Sequence, residues 1–346
     1  MDIATVKSIR DVTHLEDLLS EPTTGAIETM GRLKGDILIL GVAGKIGPSL
    51  ARMAKRASDA AGTKRRIIGV ARKLVTDMKA NLEEHGIETI ICDLLDQAQL
   101  DQLPDAPNVI YMPAMKFGAT GQEALTWALN TYLPGMAAKR FRQSRIVAYS
   151  TGNIYGLSPV TKGGSVETDV PCPVGEYAMS CLGRERIFQH FSQTLNIPIS
   201  LFRLNYATEM RYGVLIDLAQ QVWADQPINV NMGYFNILWQ GDSNAMTLQS
   251  FEHAASPPFL INATGPDILT VREVCTRLGQ LMKKDVRFTG CEAPDALLNN
   301  STKAYELFGH PRVTADQLIR WSADWTMRGG PLLGKPTHFE NREGKF

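Results

Sequence analysis

The stretch of residues 36–50, which reads DILILGVAGKIGPSL, constrains the fold of this chain more than any other part of the sequence. It contains Ile37–Leu40, a run of isoleucine and leucine that is typical of a strand buried on both faces of a parallel sheet. A proline then opens a predicted helix over residues 48–57, where proline is well tolerated. Between strand and helix, glycine recurs at every third position: Gly41, Gly44 and Gly47.

Each glycine of this loop meets a different steric requirement. Gly41 permits a tight turn, Gly44 lets backbone amides approach a pyrophosphate, and Gly47 lets the helix pack closely on the strand. The loop therefore predicts a dinucleotide site on the helix N-terminus, with Lys45 and Ile46 as further contacts. A phosphate loop of the nucleotide-hydrolase type is excluded, because Lys45 is followed by Ile46 rather than by serine or threonine.

Short apolar runs alternate with helical stretches after this loop. The predicted strands cover residues 37–40, 66–70, 89–92, 109–112, 145–149 and 199–204. This alternation predicts an α/β fold, a Rossmann-type doubly wound parallel sheet with a smaller C-terminal substrate lobe.

The amino-acid composition changes after residue 204, where Tyr, Trp and Met become frequent. Helices are predicted in this part at 271–282 and 314–327. The predicted division is an N-terminal extension at 1–35, a dinucleotide-binding domain at 36–204, mainly a substrate lobe at 205–327 and a C-terminal tail at 328–346. Residues 232–250 could belong to either domain. The tail could be folded over the surface or disordered.

Composition limits the class of partner. Of the 346 residues, 44% are hydrophobic and 21% charged, and the formal net charge is zero, which excludes the basic surface expected for nucleic acid or an acidic membrane. The absence of a signal-like start and of any apolar run of about 18 residues predicts a cytoplasmic location. Scattered cysteines and unpaired histidines predict neither disulfides nor a metal site.

The residues after the second predicted strand indicate the cofactor. A site for NAD usually places an acidic residue here, which accepts a hydrogen bond from the ribose 2′-hydroxyl. This chain has Ala71, Arg72 and Lys73 instead. Because cations attract the 2′-phosphate, we expect NADP, with Arg72 as its contact and NAD as the alternative. In the other interpretation, Arg72 and Lys73 are simply exposed basic residues that precede a helix and bind no cofactor.

Residues 145–156, RIVAYSTGNIYG, and Tyr177 in EYAMSCLGRERIF carry a family resemblance. They resemble the extended short-chain dehydrogenase/reductase family, the NAD-dependent epimerases and dehydratases of sugar metabolism. The resemblance covers about residues 36–325. Weaker matches follow in the same order: Asp93-Leu94, VIYMPAMKFG, Asn130, FRLNY, ILWQGDSNAM and LLNNSTKAYELFGH.

The resemblance implies roles for individual residues. Tyr177 would act as general acid or base and Thr151 would orient the substrate oxygen, while Asn205, Arg211 and Tyr212 would face the substrate. The implied cofactor contacts are Gly41, Gly44, Lys45, Ile46, Gly47, Asp93, Leu94, Pro113, Ala114, Lys116, Asn130 and Tyr177. Because family members commonly form dimers through the helix that carries the tyrosine, we expect a homodimer. The resemblance to enzymes of sugar metabolism also implies a small carbohydrate-like substrate.

The chain departs from the family at the Tyr-x-x-x-Lys pair, because Cys181 stands where the lysine is expected. An unassisted tyrosine would be only about 0.1% ionised at pH 7. Arg184, three residues after Cys181 on the same predicted helical face, is one candidate replacement cation, and the oxidised nicotinamide is another. Cys181 itself is either a nucleophile or a small buried thiol that fills the vacated space. Because a protonated tyrosine is a competent acid, a reductase-leaning or substrate-assisted enzyme is our hypothesis.

Three functions stay open at this point. The first is an NAD(P)-dependent oxidoreductase or epimerase for a carbohydrate-like alcohol or ketone. The second is a nucleotide-binding regulator that has lost turnover, which Cys181 favours. The third is a sugar dehydratase, which would normally have an acidic residue where Gly152 and Asn153 stand. Tyr206-Ala207-Thr208 in place of Tyr-Gly-Pro makes a free sugar, sugar acid or polyol as plausible a substrate as a nucleotide sugar.

Overall fold

The computed structural model of the chain describes residues 3–116, 118 and 120–344, so the outermost two residues of the predicted extension and tail lie outside it. The strands are β1 Ile37–Leu40, β2 Ile67–Ala71, β3 Glu88–Ile91, β4 Asn108–Tyr111, β5 Arg145–Thr151, β6 Ser158–Pro159, β7 Ile199–Leu204, β8 Ala207–Thr208, β9 Ile228–Asn229, β10 Tyr234–Phe235, β11 Leu238–Trp239, β12 Phe259–Ala263, β13 Leu269–Thr270, β14 Phe288–Thr289 and β15 Asp295–Ala296. The helices are α1 Val12–Leu19, α2 Thr24–Arg32, α3 Gly47–Ala60, α4 Thr76–Glu84, α5 Gln97–Asp101, α6 Glu123–Trp127, α7 Leu133–Arg140, α8 Gly175–Leu195, α9 Val214–Trp223, α10 Gln240–Gln249, α11 Val271–Met282, α12 Thr302–Phe308 and α13 Ala315–Met327.

Seven of these strands form one sheet in the order β12-β7-β5-β4-β1-β2-β3. Every neighbouring pair is parallel. In the centre, Ile39 lies between Gly69 and Ile110, and all of β1 is buried. The predicted Rossmann-type α/β fold is confirmed. Because the strands are parallel, the loops after β1, β4 and β5 meet at one edge, where such sheets bind ligands.

The two faces of the sheet are covered by separate apolar cores. Alternate residues of β1 point to opposite faces, so that Ile37 and Ile39 join one core and Leu38 and Leu40 join the other. Helices α3 and α10 cover the first face, and α7 and α8 lie on the second. None of the helices within the described residues has the length and apolar character that crossing a bilayer requires.

The N-terminal segment differs from the appended extension that the sequence predicted for residues 1–35. Leu15 and Leu19 of α1 are buried in the core of the C-terminal lobe, whereas Ala26 and Met30 of α2 are buried against the sheet domain. The segment therefore spans both halves of the molecule. The physical reason is that α1 and α2 each carry an apolar face, which would be exposed to water if the segment were detached.

Strand β12 corrects the predicted extent of the C-terminal lobe, since Phe259–Ala263 pairs with β7 in the main sheet. Helix α10 also packs on α2 and α3, so part of the open stretch 232–250 lies on the sheet domain. The sequence pattern of β12 is weak because the run contains Asn262, which is buried and receives a 2.9 Å hydrogen bond from the hydroxyl of Tyr155.

The C-terminal tail, whose state the sequence left open, is folded over the C-terminal lobe. Phe339 is buried beside Phe235, with 6.0 Å between the ring centroids. Thr337 donates hydrogen bonds of 2.7 Å from its amide and 2.6 Å from its hydroxyl to Asp217 Oδ2. Near the end of the tail, Arg342 pairs with Asp295.

Candidate functional site

A cleft of about 810 Å³ opens at the carboxyl edge of the sheet, between the glycine loop and the C-terminal lobe. The predicted site residues that line it are Gly41, Gly44, Lys45, Ile46, Ala114, Lys116, Thr151, Tyr177, Arg184, Asn205, Arg211 and Tyr212. The other predicted site residues do not line it: Gly47, Arg72, Asp93, Leu94, Pro113, Asn130 and Cys181. The structure thus brings together the glycine loop, Thr151 and Tyr177, and the three residues that we expect to face the substrate.

The glycine loop has the geometry of a phosphate cradle. Gly41 has a φ of 86°, a conformation that favours glycine. A Cβ atom on Gly47 would lie 2.2 Å from the carbonyl oxygen of Val42, so only glycine permits this approach of helix and strand. Helix α3 begins at Gly47, and its N-cap residue Ile46 provides no side-chain acceptor for the first-turn amides. The loop can therefore receive an anionic group.

Thr151 and Tyr177 meet on the opposite wall of the cleft. Thr151 is the last residue of β5, and Tyr177 lies in the first turn of α8. Burial raises the pKa of Tyr177 well above its usual value, while the charge of Arg184 and a hydrogen bond with Thr151 act in the opposite direction. The phenol is therefore protonated at neutral pH.

Cys181 lies one helical turn after Tyr177 and is fully buried. It packs in a small apolar cluster with Ile154, Tyr155 and Tyr177. Burial raises the pKa of its thiol, although Arg184 opposes this shift. Of the two interpretations of Cys181, a buried thiol that fills the space of the missing lysine agrees better with this environment than a nucleophile does.

Arg184 brings a buried positive charge to the same place. Its guanidinium donates 2.9 Å hydrogen bonds to the carbonyl oxygen of Tyr149 and to Asn130 Oδ1. It lines the cleft and lowers the pKa of both Tyr177 and Cys181 by its charge. A buried cation thus lines the same cleft as Tyr177, about one helical turn after Cys181.

Asn130 is a buried anchor behind the cleft wall. It lies in a short π-helical segment, Ala128–Tyr132, a type of distortion often found near functional sites. Its side chain receives a 2.9 Å hydrogen bond from the amide of Met115 and donates bonds of 3.0 Å to the carbonyl of Met115 and the hydroxyl of Ser180. These bonds fix the segment that carries Lys116 against α8.

The predicted adenine-side residues lie beyond the cleft. Asp93 Oδ1 accepts a 3.1 Å hydrogen bond from the amide of Leu95, and Leu94 is buried in the sheet core. Pro113 packs against Gly41. Arg72 is exposed immediately after β2.

The C-terminal lobe contributes Tyr212 and Arg211 to the cleft. The ammonium nitrogen of Lys45 lies 3.2 Å from the centroid of the Tyr212 ring, so this pair connects the glycine loop to the lobe. Arg211 is held at 2.6 Å by Glu16 and at 3.0 Å by Glu209. Its charge is therefore compensated within the protein.

Sequence reasoning missed several residues of the cleft. Glu16 comes from α1, and Leu333, Lys335 and Thr337 come from the tail. No local signal could have identified them, because helix α1 resembles any amphipathic helix and the tail is irregular. Their position follows from long-range packing, such as the 3.0 Å hydrogen bond from the amide of Leu333 to the carbonyl of Arg211.

Comparison with known proteins gives a family and a set of similar folds. Residues 37–207 match the model of the NAD dependent epimerase/dehydratase family. The chain is similar to UDP-glucuronic acid 4-epimerase from Bacillus cereus in complex with NAD, with a TM-score of 0.70 and 18% identity over 85% of this chain and 96% of that chain. It is similar to dTDP-glucose 4,6-dehydratase from Bacillus anthracis in complex with NAD, with a TM-score of 0.70 and 16% identity over 85% and 97% of the two chains.

A third similar structure is UDP-N-acetylglucosamine 4-epimerase from Bacillus cereus, with a TM-score of 0.66 and 18% identity over 85% of this chain and 99% of that chain. Identities this low show a shared fold. No curated protein matches the chain in sequence.

Proposed function

Because the chain belongs to the NAD dependent epimerase/dehydratase family through residues 37–207, as its motifs predicted, we propose that it is an NAD(P)-dependent oxidoreductase or epimerase that acts on a carbohydrate-like alcohol or ketone. The observation that carries the proposal is the position of Thr151 and Tyr177 in the same cleft as the glycine loop. A proton donor, a hydroxyl that can orient the substrate oxygen and a dinucleotide cradle therefore face one space.

The residues of the loop fit a nicotinamide dinucleotide. The close approach at Gly47 and the first turn of α3, which lacks a side-chain cap, suit a pyrophosphate. Two of the three similar solved structures are complexes with NAD. We favour NADP for this chain because the exposed Arg72 follows β2, with NAD as the alternative.

When bound, the nicotinamide supplies or accepts a hydride at the carbon that carries the substrate oxygen. The protein's own part is proton transfer at that oxygen. Protonated Tyr177 donates to it during carbonyl reduction, and Thr151 holds it by a hydrogen bond. Because burial raises the pKa of Tyr177, the acid role is favoured over the base role at neutral pH. Arg184 offsets part of this burial effect and so helps the reverse reaction.

The proposed substrate is a carbohydrate-like alcohol or ketone. The similar solved structures are named for UDP- and dTDP-sugars. Dehydration is the least supported reaction, because Gly152 and Asn153 stand where a dehydratase normally has an acidic residue.

A regulator that binds NADP without turnover is the second candidate. It is favoured by Cys181, which removes the family lysine, and by the raised pKa of Tyr177. The regulator and the enzyme would share the cofactor cradle and differ in turnover.

The proposed homodimer would use α8 and the helices before it. Large side chains are exposed there at Trp127, Tyr132 and Met179. These residues provide apolar area for a second copy of the chain, which sedimentation can test.

The decisive experiment follows the absorbance band of the reduced nicotinamide with both cofactors and a panel of sugars, sugar acids and keto sugars. Tyr177→Phe should lower turnover by about 10²–10⁴-fold, the usual contribution of a general acid. Tyr234→Phe is the matched control, because Tyr234 lies in β10 and does not line the cleft.

Unchanged turnover in Tyr177→Phe would contradict the proposed catalytic role. Cofactor binding without turnover across the panel would favour the regulator. Absence of binding by either pyridine cofactor would refute both functions.

A further inference from the structure

A lysine from a different part of the chain lies beside Tyr177. Lys116 belongs to the segment that follows β4, and it lines the cleft together with Thr151 and Tyr177. Its ammonium nitrogen lies 5.8 Å from the centroid of the Tyr177 ring. Its charge also acts on the thiol of Cys181. The altered Tyr-x-x-x-Cys pair of α8 therefore has an ammonium group next to it, although that group does not come from α8.

Asn130 fixes the segment of Lys116 against α8. Its buried side chain accepts a 2.9 Å hydrogen bond from the amide of Met115 and donates a 3.0 Å bond to the carbonyl of the same residue, which precedes Lys116. It also donates a 3.0 Å bond to the hydroxyl of Ser180, which precedes Cys181. The residues before Lys116 and Cys181 are thus joined through one buried amide group, so the approach of Lys116 to α8 is built into the fold.

The two cations near Tyr177 differ in their chemistry. Arg184 keeps its proton at every relevant pH, and its guanidinium is held by the carbonyl of Tyr149 and by Asn130 Oδ1. It supplies a constant charge and cannot exchange a proton. The ammonium of a lysine can give up a proton and take it back, and burial makes this easier.

The surroundings of Lys116 favour proton exchange near neutral pH. Burial lowers its pKa to about 8, while Cys181 and Asp217 act in the opposite direction. Lys116 in turn lowers the pKa of Lys45 in the glycine loop. Burial raises the pKa of Tyr177 well above its usual value, so the phenol by itself keeps its proton in this range. Lys116 therefore meets a requirement of acid–base chemistry that Tyr177 alone does not meet.

We propose that Lys116 takes over the part of the missing α8 lysine and exchanges a proton with Tyr177. In alcohol oxidation, the phenol O–H bond breaks and an N–H bond forms on the neutral amine of Lys116, while the phenolate oxygen takes the proton of the substrate hydroxyl. In carbonyl reduction the two protons move in the opposite direction, and water then reprotonates the amine. The hydride passes between substrate and nicotinamide. This inference rests on the proposed function and adds a residue that acts through Tyr177.

The exchange makes Tyr177 and Lys116 titrate as a pair. The first proton should leave the pair near the pKa of Lys116, because the phenol holds its own proton more tightly. The kcat for oxidation should therefore rise with pH through about 8, and the kcat for reduction should fall over the same range.

The test is the pH profile of kcat for the full chain at saturating cofactor, with NADP and NAD compared. The probes are D-galactose, D-glucuronate and UDP-D-glucose for oxidation, and D-fructose for reduction. Lys116→Gln should lower the kcat for oxidation about tenfold or more at pH 8 and should remove the inflection near that pH. Lys116→Arg keeps the charge without an exchangeable proton, so its profile should also lack the inflection.

Lys64→Gln is the matched control, because Lys64 is exposed and lies outside the cleft lining. It removes the same charge and should leave both the kcat and its pH profile unchanged.

A second measurement does not depend on turnover. Acetic anhydride reacts with neutral amines, so the rate at which it labels Lys116, followed by mass spectrometry as a function of pH, reports the pKa of this lysine. The midpoint should lie near 8, whereas a midpoint near 10.5, the ordinary value for lysine, would contradict proton exchange at neutral pH.

Two kinetic results would also overturn the inference. Lys116→Gln could keep the wild-type profile at saturating cofactor and weaken only cofactor binding, which would limit Lys116 to a cofactor contact. Lys116→Arg could keep the inflection, which would show that charge alone matters. A wild-type chain that binds the cofactors but turns over none of the probes would instead refute the proposed enzyme function, and the role of Lys116 would fall with it.

Discussion

At the scale of single residues, the unusual feature is a displaced cation. Cys181, at the position where we expect a lysine from the family resemblance, is a buried thiol, and the guanidinium of Arg184 lines the same cleft as Tyr177 from the next turn of α8. Sequence spacing placed Arg184 on this face correctly, because residues three or four apart in a helix are neighbours. Spacing alone did not predict that Asn130 and the carbonyl of Tyr149 would hold the guanidinium in place.

Arg184 should act as a positioning residue with an effect on the pH profile. Arg184→Met removes the charge that lowers the pKa of Tyr177, so less phenolate exists at a given pH. Alcohol oxidation should slow about tenfold or more at neutral pH, and its rise with pH should move to higher pH. Carbonyl reduction should change less, because it uses the protonated phenol.

The control is Arg184→Lys, which keeps a positive charge at the same place. It should restore most of the pH profile if charge is what matters. A profile that is identical in all three proteins would contradict this role.

At the scale of elements, the site depends on how closely helices approach strands. The clearest case is the contact of Gly47 with the backbone of Val42 at the start of α3. A second case is α8, where buried Glu185 accepts hydrogen bonds of 2.9 and 2.7 Å from Arg203 of β7 and so fixes the helix that carries Tyr177. The glycine pattern predicted the first contact, whereas no local pattern predicted the second.

Gly47→Ala should separate α3 from β1. The new methyl group would overlap the carbonyl of Val42, so we expect a loss of about 1–3 kcal/mol in the free energy of unfolding and a clear loss of cofactor affinity. Urea denaturation and cofactor calorimetry measure the two effects.

Gly31→Ala is the matched substitution, since Gly31 lies in α2 and its nearest neighbour would be the Cβ atom of Ala61 at 3.7 Å. This variant should be as stable as the wild type or slightly more stable. Equal behaviour of the two variants would show that the contact at Gly47 is unimportant.

At the scale of the whole molecule, both chain ends complete the cleft. Helix α1 supplies Glu16 to Arg211, and the tail supplies Lys335. The tail is anchored on the C-terminal lobe by Phe339 and by the bonds from Thr337 to Asp217. The substrate side of the cleft is therefore built from residues far apart in the chain.

Phe339→Ala should loosen the tail. Loss of its burial should lower the free energy of unfolding by about 1.5–3 kcal/mol, and amides of the tail should exchange faster with solvent. Hydrogen exchange and urea denaturation measure these changes. The control is Leu332→Ala, since Leu332 lies on the same tail and is 44% exposed. Unchanged exchange of the tail in Phe339→Ala would contradict this anchoring.

The sequence by itself determined the sheet domain, the glycine loop and the family, because strands, turns and helix starts depend on neighbouring residues. It also indicated Thr151, Tyr177 and Arg184, whose separations along the chain fix their places on β5 and α8. Only the tertiary structure decided that β12 completes the sheet, that Glu16 holds Arg211 and that Lys335 reaches the cleft. These features join residues distant in sequence, and their stability comes from burial and charge pairing across the whole fold.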